Sequence, residues 1–352
     1  MLARIDNPAI TARTLEYWRH EGLLPHAERT GQAGKRPEWT YPAVARDQLA
    51  ELLRLRGHSR KPDVLRVALW FRGFPIQTGP VRSSIATVLH GMQDVLAREV
   101  EKRRDLSLPP DESTWAALET VARTVARKRG AHAPPRWGRQ TRNDRERATT
   151  VLLGLALGYE QAAERLTEDA NRIERLMGVD RARRARGGLG AWLSGPASEG
   201  FEAFASIASL PALIYTVESA TDEELAATRE SARTLLDGIS AFSRIADAFA
   251  LSENATGLAA FEALTGDPMA TVWVTALVLS IRRTTDYEEN LRTVVDALDR
   301  GILPVEERAQ QLSALSPEEL EHQLPHLQKL PFIERARLNR LIAEHRAGNT
   351  EK

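Results

Sequence analysis

The segment Thr11-Ala-Arg-Thr-Leu-Glu-Tyr-Trp-Arg19 gathers two guanidiniums, two hydroxyls, a phenol and an indole within nine residues. At helical spacing these groups suit hydrogen bonding to phosphates and base edges. A helix entering a major groove needs small or polar residues at its start, donors for the backbone and an apolar rear face. Thr11 is the expected N-cap, and Thr11, Ala12, Arg13 and Thr14 occupy the approach end. Leu15 and Trp18, three apart, share a face that can pack inward, while Arg13 and Arg19 lie on different parts of the exposed arc. An ordinary amphipathic helix carrying two arginines is the alternative.

Other candidate chemistry is thin. His322 and His326 are four apart, but Pro325 separates them and no third ligand is near. Solvated histidines explain them better than a metal. Glu160, Glu164 and Glu168 form a carboxylate line interleaved with Arg165, the pattern of an exposed helix face rather than of a diiron site. Arg181-Ala-Arg-Arg-Ala-Arg186 reads as a solvated helix end or a phosphate contact. Phosphate-cradling glycine loops, nucleophile elbows and His-Glu-x-x-His are absent. The expectation is therefore a non-enzyme without cofactors.

Charge supports a nucleic-acid reading. The chain is neutral overall, with 48 basic and 48 acidic residues. Residues 1–150 hold 27 Lys and Arg against 17 Asp and Glu, a net of +10, which leaves −10 for residues 151–352. A basic front with an acidic back fits a DNA-binding region joined to a solvated sensor or partner region. With no cysteine, thiolate metal sites, redox sites and disulfides are excluded. Met1-Leu-Ala-Arg-Ile-Asp6 has no apolar run. The most apolar stretch, Met269 to Ile281, spans 13 residues, short of the roughly 20 that cross a bilayer. A cytoplasmic protein with no membrane contact is expected.

The elements positioning these groups are read as helices at 11–21, 42–57, 62–72, 80–104, 112–129, 144–177, 199–217, 222–250, 256–264, 268–285, 287–300, 304–313, 317–323 and 331–346. Thr221-Asp-Glu-Glu224 and Ser316-Pro-Glu-Glu319 have capping-box spacing. Gly130–Gly138, with its Pro-Pro, and the glycine-rich Arg186–Pro196 read as linkers.

Taken together, Ile10–Pro25, the basic and glycine-containing residues 26–41 and the helix opening at Tyr41-Pro-Ala-Val-Ala-Arg-Asp-Gln-Leu49 resemble a MerR-type winged helix-turn-helix. The likeness covers about 75 residues and ends in the Gly73-Phe-Pro-Ile76 helix pair. It implies that helix 11–21 is the recognition helix, with Arg13 and Tyr17 at the family's DNA-contacting positions and Trp18 replacing a second tyrosine. It also implies wing contacts from Arg29, Lys35 and Arg36, with Tyr41 opening the next helix. The full implied DNA-binding set is Thr11, Arg13, Thr14, Tyr17, Trp18, Arg19, Arg29, Lys35, Arg36 and Tyr41. Three departures stand out. Glu16 replaces a frequent arginine, Pro37-Glu-Trp-Thr40 lengthens the wing, and only Leu2-Ala-Arg-Ile5 stands where the family has a first helix.

The resemblance further implies a homodimer. Val81, Ile85, Val88, Met92 and Val95 recur at spacings of 4, 3, 4 and 3, as a coiled-coil seam would; Leu89 and Leu96 widen the stripe, which also fits a helix packed in a monomer core. The expected fold is mainly all-α: a winged helix-turn-helix with a small β wing (1–75), dimerisation and linker helices (76–130), a large helical regulatory or partner-binding domain (139–300) and a short-helix tail (301–352). The expected function is sequence-specific binding of double-stranded DNA as a transcriptional regulator. A small apolar effector held by Trp192, Phe201, Phe204, Tyr215, Phe242, Phe249, Phe261 and Trp273, or RNA polymerase, is a further possible partner, although plain core explains those aromatics as well. The rival reading is a non-enzymatic protein–protein module of a nucleoid or phage assembly that uses a winged helix.

Overall fold

The computed structural model describes residues 10–30, 38–127, 141–159, 162, 165, 207–248 and 267–283. They are mostly helical, in the order α1 (Ala12–His20), β1 (Glu28–Thr30), β2 (Glu38–Thr40), α2 (Ala45–Arg56), α3 (Pro62–Phe71), α4 (Thr78–Glu101), α5 (Pro110–Arg127), α6 (Arg142–Leu157), α7 (Leu210–Glu218), α8 (Asp222–Ala248) and α9 (Pro268–Arg283). Strands β1 and β2 pair antiparallel, Arg29 opposite Trp39. Among the described residues no helix is long and apolar enough to cross a membrane.

Local chemistry fixes the ends of α1. The Thr11 hydroxyl accepts from the Thr14 amide at 3.2 Å, satisfying one orphan donor of the first turn. At the other end Gly22 turns the chain at φ 67, a conformation that a side chain resists. The Leu23 amide then donates back to the Trp18 carbonyl at 2.8 Å. That reversal tucks Leu23 and Leu24 beneath Leu15 and Trp18, where they meet Leu49, Leu52 and Leu55 of α2 and Leu65, Ala68 and Leu69 of α3. Buried Gln48 of α2 donates to the Leu23 carbonyl at 2.9 Å, pinning the turn to the core.

Helix α3 is apolar nearly all round and has two buried faces. One is the face just described. The other, Val64, Val67, Trp70 and Phe71, enters a second core with α4, α7, α8 and α9. Residue 75, the expected domain boundary, therefore does not separate two cores: α3 belongs to both. A third cluster joins Trp115, Leu118 and Val121 of α5 to Val151 and Leu155 of α6.

This second core corrects the expected dimer seam. Val81, Ile85 and Val88 are buried within the same chain, against α3 and α7, and Met92 packs partly against that cluster. Of the five seam residues only Val95 is well exposed, at 53 %. The heptad spacing reflects a helix lying across its own core, whose wider stripe includes buried Leu89 and partly buried Leu96.

Two helix boundaries also shift. The helix expected over 144–177 breaks after Leu157, because Gly158 adopts φ 79 and its amide bonds the Leu155 carbonyl at 2.9 Å. Ala162 and Arg165 beyond it are again helical, and the other residues from 160 to 177 lie outside the described residues. The helix expected over 199–217 has a start at Leu210, capped by Ser209 and admitted by Pro211 in its first turn. The helices expected at 256–264, 287–300, 304–313, 317–323 and 331–346 lie outside the described residues, as do both linkers and the short-helix tail.

The capping box at α8 forms in full: the Thr221 amide donates to Glu224 at 2.7 Å and the Glu224 amide donates to the Thr221 hydroxyl at 3.2 Å. Arg283 adds hydrogen bonds to the same carboxylate and to the Ser219 carbonyl, closing the end of α7. The Arg283 contact, followed by the Thr221 amide, pulls the Glu224 carboxyl down from its ordinary 4.5 to about 2. A depressed carboxyl contributes stability above its unfolded value and loses it as pH falls through the folded one. Glu224→Gln should therefore flatten the loss of stability between about pH 4.5 and about 2, read from urea midpoints along a pH series. An unchanged slope would show that the pair contributes nothing. Glu99, also held near 2 by Lys102 and Arg103, and Asp105 and Glu146, lowered by Ser107 and Arg142, would share the residual slope.

Candidate nucleic-acid interface

With Leu15 and Trp18 turned inward, α1 presents Ala12, Arg13, Glu16, Tyr17 and His20 outward. Tyr17 is 48 % exposed, and the hydroxyls of Thr11 and Thr14 meet at 2.9 Å beside Arg13 at the helix start. Arg19 lies closer to the body. Its Nε donates to the Leu15 carbonyl at 3.2 Å and its guanidinium sits over the Tyr41 ring at 5.8 Å. Tyr41 is thus a brace for Arg19 as well as the residue leading into α2.

Trp18 leaves the expected contact set. Its ring is 3 % exposed and forms the floor of the first core, so it supports the interface from behind. Arg29 lies in β1 opposite Trp39, which sets its backbone beside α1 in sequence but leaves its side chain outside the described set. Lys35 and Arg36 lie outside the described residues.

A cleft of about 320 Å³ opens beside α1, lined by Thr11, Arg13, Thr14, Tyr17, Trp18, Leu23, Arg56, Arg60, Pro62 and Leu65. It holds three guanidiniums and no carboxylate. Arg56, at the end of α2, stacks over the Trp18 ring at 4.9 Å, which fixes where its charge points. Arg13 and Arg60 are exposed and engage no hydrogen bond or ion pair in the described structure. The first turn of α3 borders the cleft through Pro62, which has no N–H, and Lys61 at its cap supplies no side-chain bond. Three cations and the Thr11 and Thr14 hydroxyls around an apolar floor have the chemistry to hold phosphate oxygens.

Arg56 and Arg60 were not among the residues expected from sequence. Their signal was the run Arg54-Leu-Arg-Gly-His-Ser-Arg-Lys61, a basic turn between two helices. Folding brings it to α1, which no local pattern states.

The interface is tied to the rest of the molecule through Arg66. Its guanidinium donates to the Glu21 carbonyl at 2.6 and 3.1 Å and to the Glu21 carboxylate at 3.2 Å. It also reaches Asp63 at 2.8 Å and Ser84 of α4 at 2.5 Å, and the Ser84 hydroxyl donates to Asp63 at 2.9 Å. One side chain thus holds the end of α1 against α3 and α4.

The other candidates stay apart from this surface. Tyr215 is 74 % exposed and Trp273 packs against the second core, so the two do not line a shared apolar pocket. Phe242 lies in α8 with its side chain outside the described set, and Trp192, Phe201, Phe204, Phe249 and Phe261 lie outside the described residues. So do Glu160, Glu164, Glu168, the 181–186 arginine run, His322 and His326. Arg165 lies over the Trp115 ring at 3.9 Å in a mixed-charge cleft between α5 and α6. Among the described residues no group of three His, Cys, Asp or Glu side chains could hold a metal.

Comparison with protein-family models, with curated proteins and with solved structures found no match for this chain.

Proposed function

We propose that this chain is a sequence-specific regulator that binds double-stranded DNA through a MerR-type winged helix-turn-helix, with α1 as the recognition helix and the β1–β2 hairpin as the wing. The observation carrying this reading is the carboxylate-free cleft in which Arg13, Arg56 and Arg60 surround the start of α1. Cations held apart from any internal carboxylate keep their full attraction for an external polyanion. Tyr17 would enter the groove while Arg13, Arg56 and Arg60 would take phosphates of the flanking strand. The helices α7, α8 and α9 would carry regulation, since they pack on one face of α3 while the α1 core packs on the other.

The test uses the full chain and a fluorescently labelled random-sequence duplex in an anisotropy titration. Arg13→Ala is expected to weaken binding by about 1–3 kcal/mol. Arg60→Ala, at an exposed and unpaired position, should weaken it while leaving the unfolding midpoint unchanged. Affinity unaltered in both variants would remove the cleft from the reading and the reading with it.

A further inference from the structure

Glu16 is the one carboxylate on the outward face of α1, one turn from Arg13 and one turn from His20. It is exposed and engages no hydrogen bond or ion pair in the described structure. It therefore neither caps α1 nor anchors a neighbour, and its helix stands without it. On a surface built to meet phosphates a free carboxylate is unfavourable, because it repels the same backbone that Arg13, Arg56 and Arg60 attract. That cost is recovered where the carboxylate meets hydrogen-bond donors, and in a duplex the major groove offers them as exocyclic amines.

We infer that Glu16 is a specificity-determining residue that accepts a hydrogen bond from the N4 amine of a cytosine in the major groove. The inference rests on the DNA-binding reading above. Cytosine is favoured over adenine on chemistry. Adenine sets its N6 donor beside the N7 acceptor, which faces a carboxylate with like partial charge, whereas cytosine presents its amine beside a C–H edge. Guanine and thymine present acceptors at the corresponding edge and are rejected by the same repulsion. Arg13, three residues earlier on the same face, lies close enough to serve a neighbouring base pair or phosphate.

Selection from a random-sequence duplex pool, run on the full chain and on Glu16→Ala and Glu16→Gln, tests this. The native chain should enrich sites with a cytosine at one fixed position, preferred about 5- to 150-fold over other bases. Glu16→Ala should lose that single preference, keep the other positions and bind random duplex as tightly or more tightly. Glu16→Gln should move the preference toward adenine, whose donor and acceptor pair matches an amide. Enriched sites that are the same in Glu16→Ala would overturn the assignment while leaving DNA binding intact. Loss of all positions together in Glu16→Ala would also overturn it. If the native chain enriches nothing, the DNA-binding reading fails and takes this assignment with it.

Discussion

Replacing Trp18 with alanine should lower the stability of the folded chain by about 3–5 kcal/mol and abolish duplex binding as a consequence. The indole is 3 % exposed and packs with Leu15, Leu23, Leu24 and the leucines of α2 and α3. Removing it takes away its own transfer free energy and leaves a cavity in the core that fixes the rear of α1. It also removes the ring over which Arg56 is held at 4.9 Å, so the cleft loses a positioned charge as well as its floor. A urea midpoint gives the stability loss, and amide exchange across residues 12–24 gives its location. Trp18→Tyr, which keeps an aromatic ring, should cost markedly less. A stability loss below about 1 kcal/mol for the alanine variant would mean that α1 is not anchored through this ring.

Replacing Arg66 with alanine should cost about 2–4 kcal/mol, because four acceptors lose their charged donor together. The side chain is only 13 % exposed and serves the Glu21 carbonyl, the Glu21 carboxylate, Asp63 and Ser84. Arg66→Lys keeps the charge but cannot span acceptors on three helices, so it should recover a minority of the loss. The distinctive expectation is spatial. Ser84→Ala on α4 removes a hydroxyl that never touches α1, yet amide exchange at residues 21–24 should rise, since Ser84 and Asp63 together orient the guanidinium. Unchanged exchange there would limit Arg66 to a local ion pair.

How far the sequence reveals this molecule depends on the range of the interaction. Short-range signals are legible. The Thr11 cap, the inward pair Leu15 and Trp18 and the Thr221–Glu224 capping box all appear where their spacing predicts, because each is settled within one helical turn. Gly158 is equally local: a glycine closing an apolar run, it ends α6 in a left-handed turn. The heptad along α4 shows why pattern alone misleads at longer range. Spacing reports that a face is buried but not what buries it, and here the burying elements are α3 and α7 of the same chain. Trp18 carries the same lesson within the site, since an aromatic beside Tyr17 fits either groove or core until burial is known. The places of Arg56 and Arg66 were beyond reach, because their partners lie tens of residues away, Trp18 for Arg56 and Glu21 for Arg66, 45 apart, and Arg60 shows in the sequence only as part of a basic turn.

The most direct test of the central claim is the salt dependence of the full chain's affinity for duplex DNA. Each phosphate neutralised contributes about 0.9 to the negative slope of log K against log salt, so a cleft presenting Arg13, Arg56 and Arg60 predicts a straight line with a slope of magnitude about 3 or more. Substituting Arg13 and Arg60 together should reduce that magnitude by about 2. Binding that does not change with salt, or a slope untouched by the double substitution, would contradict the account.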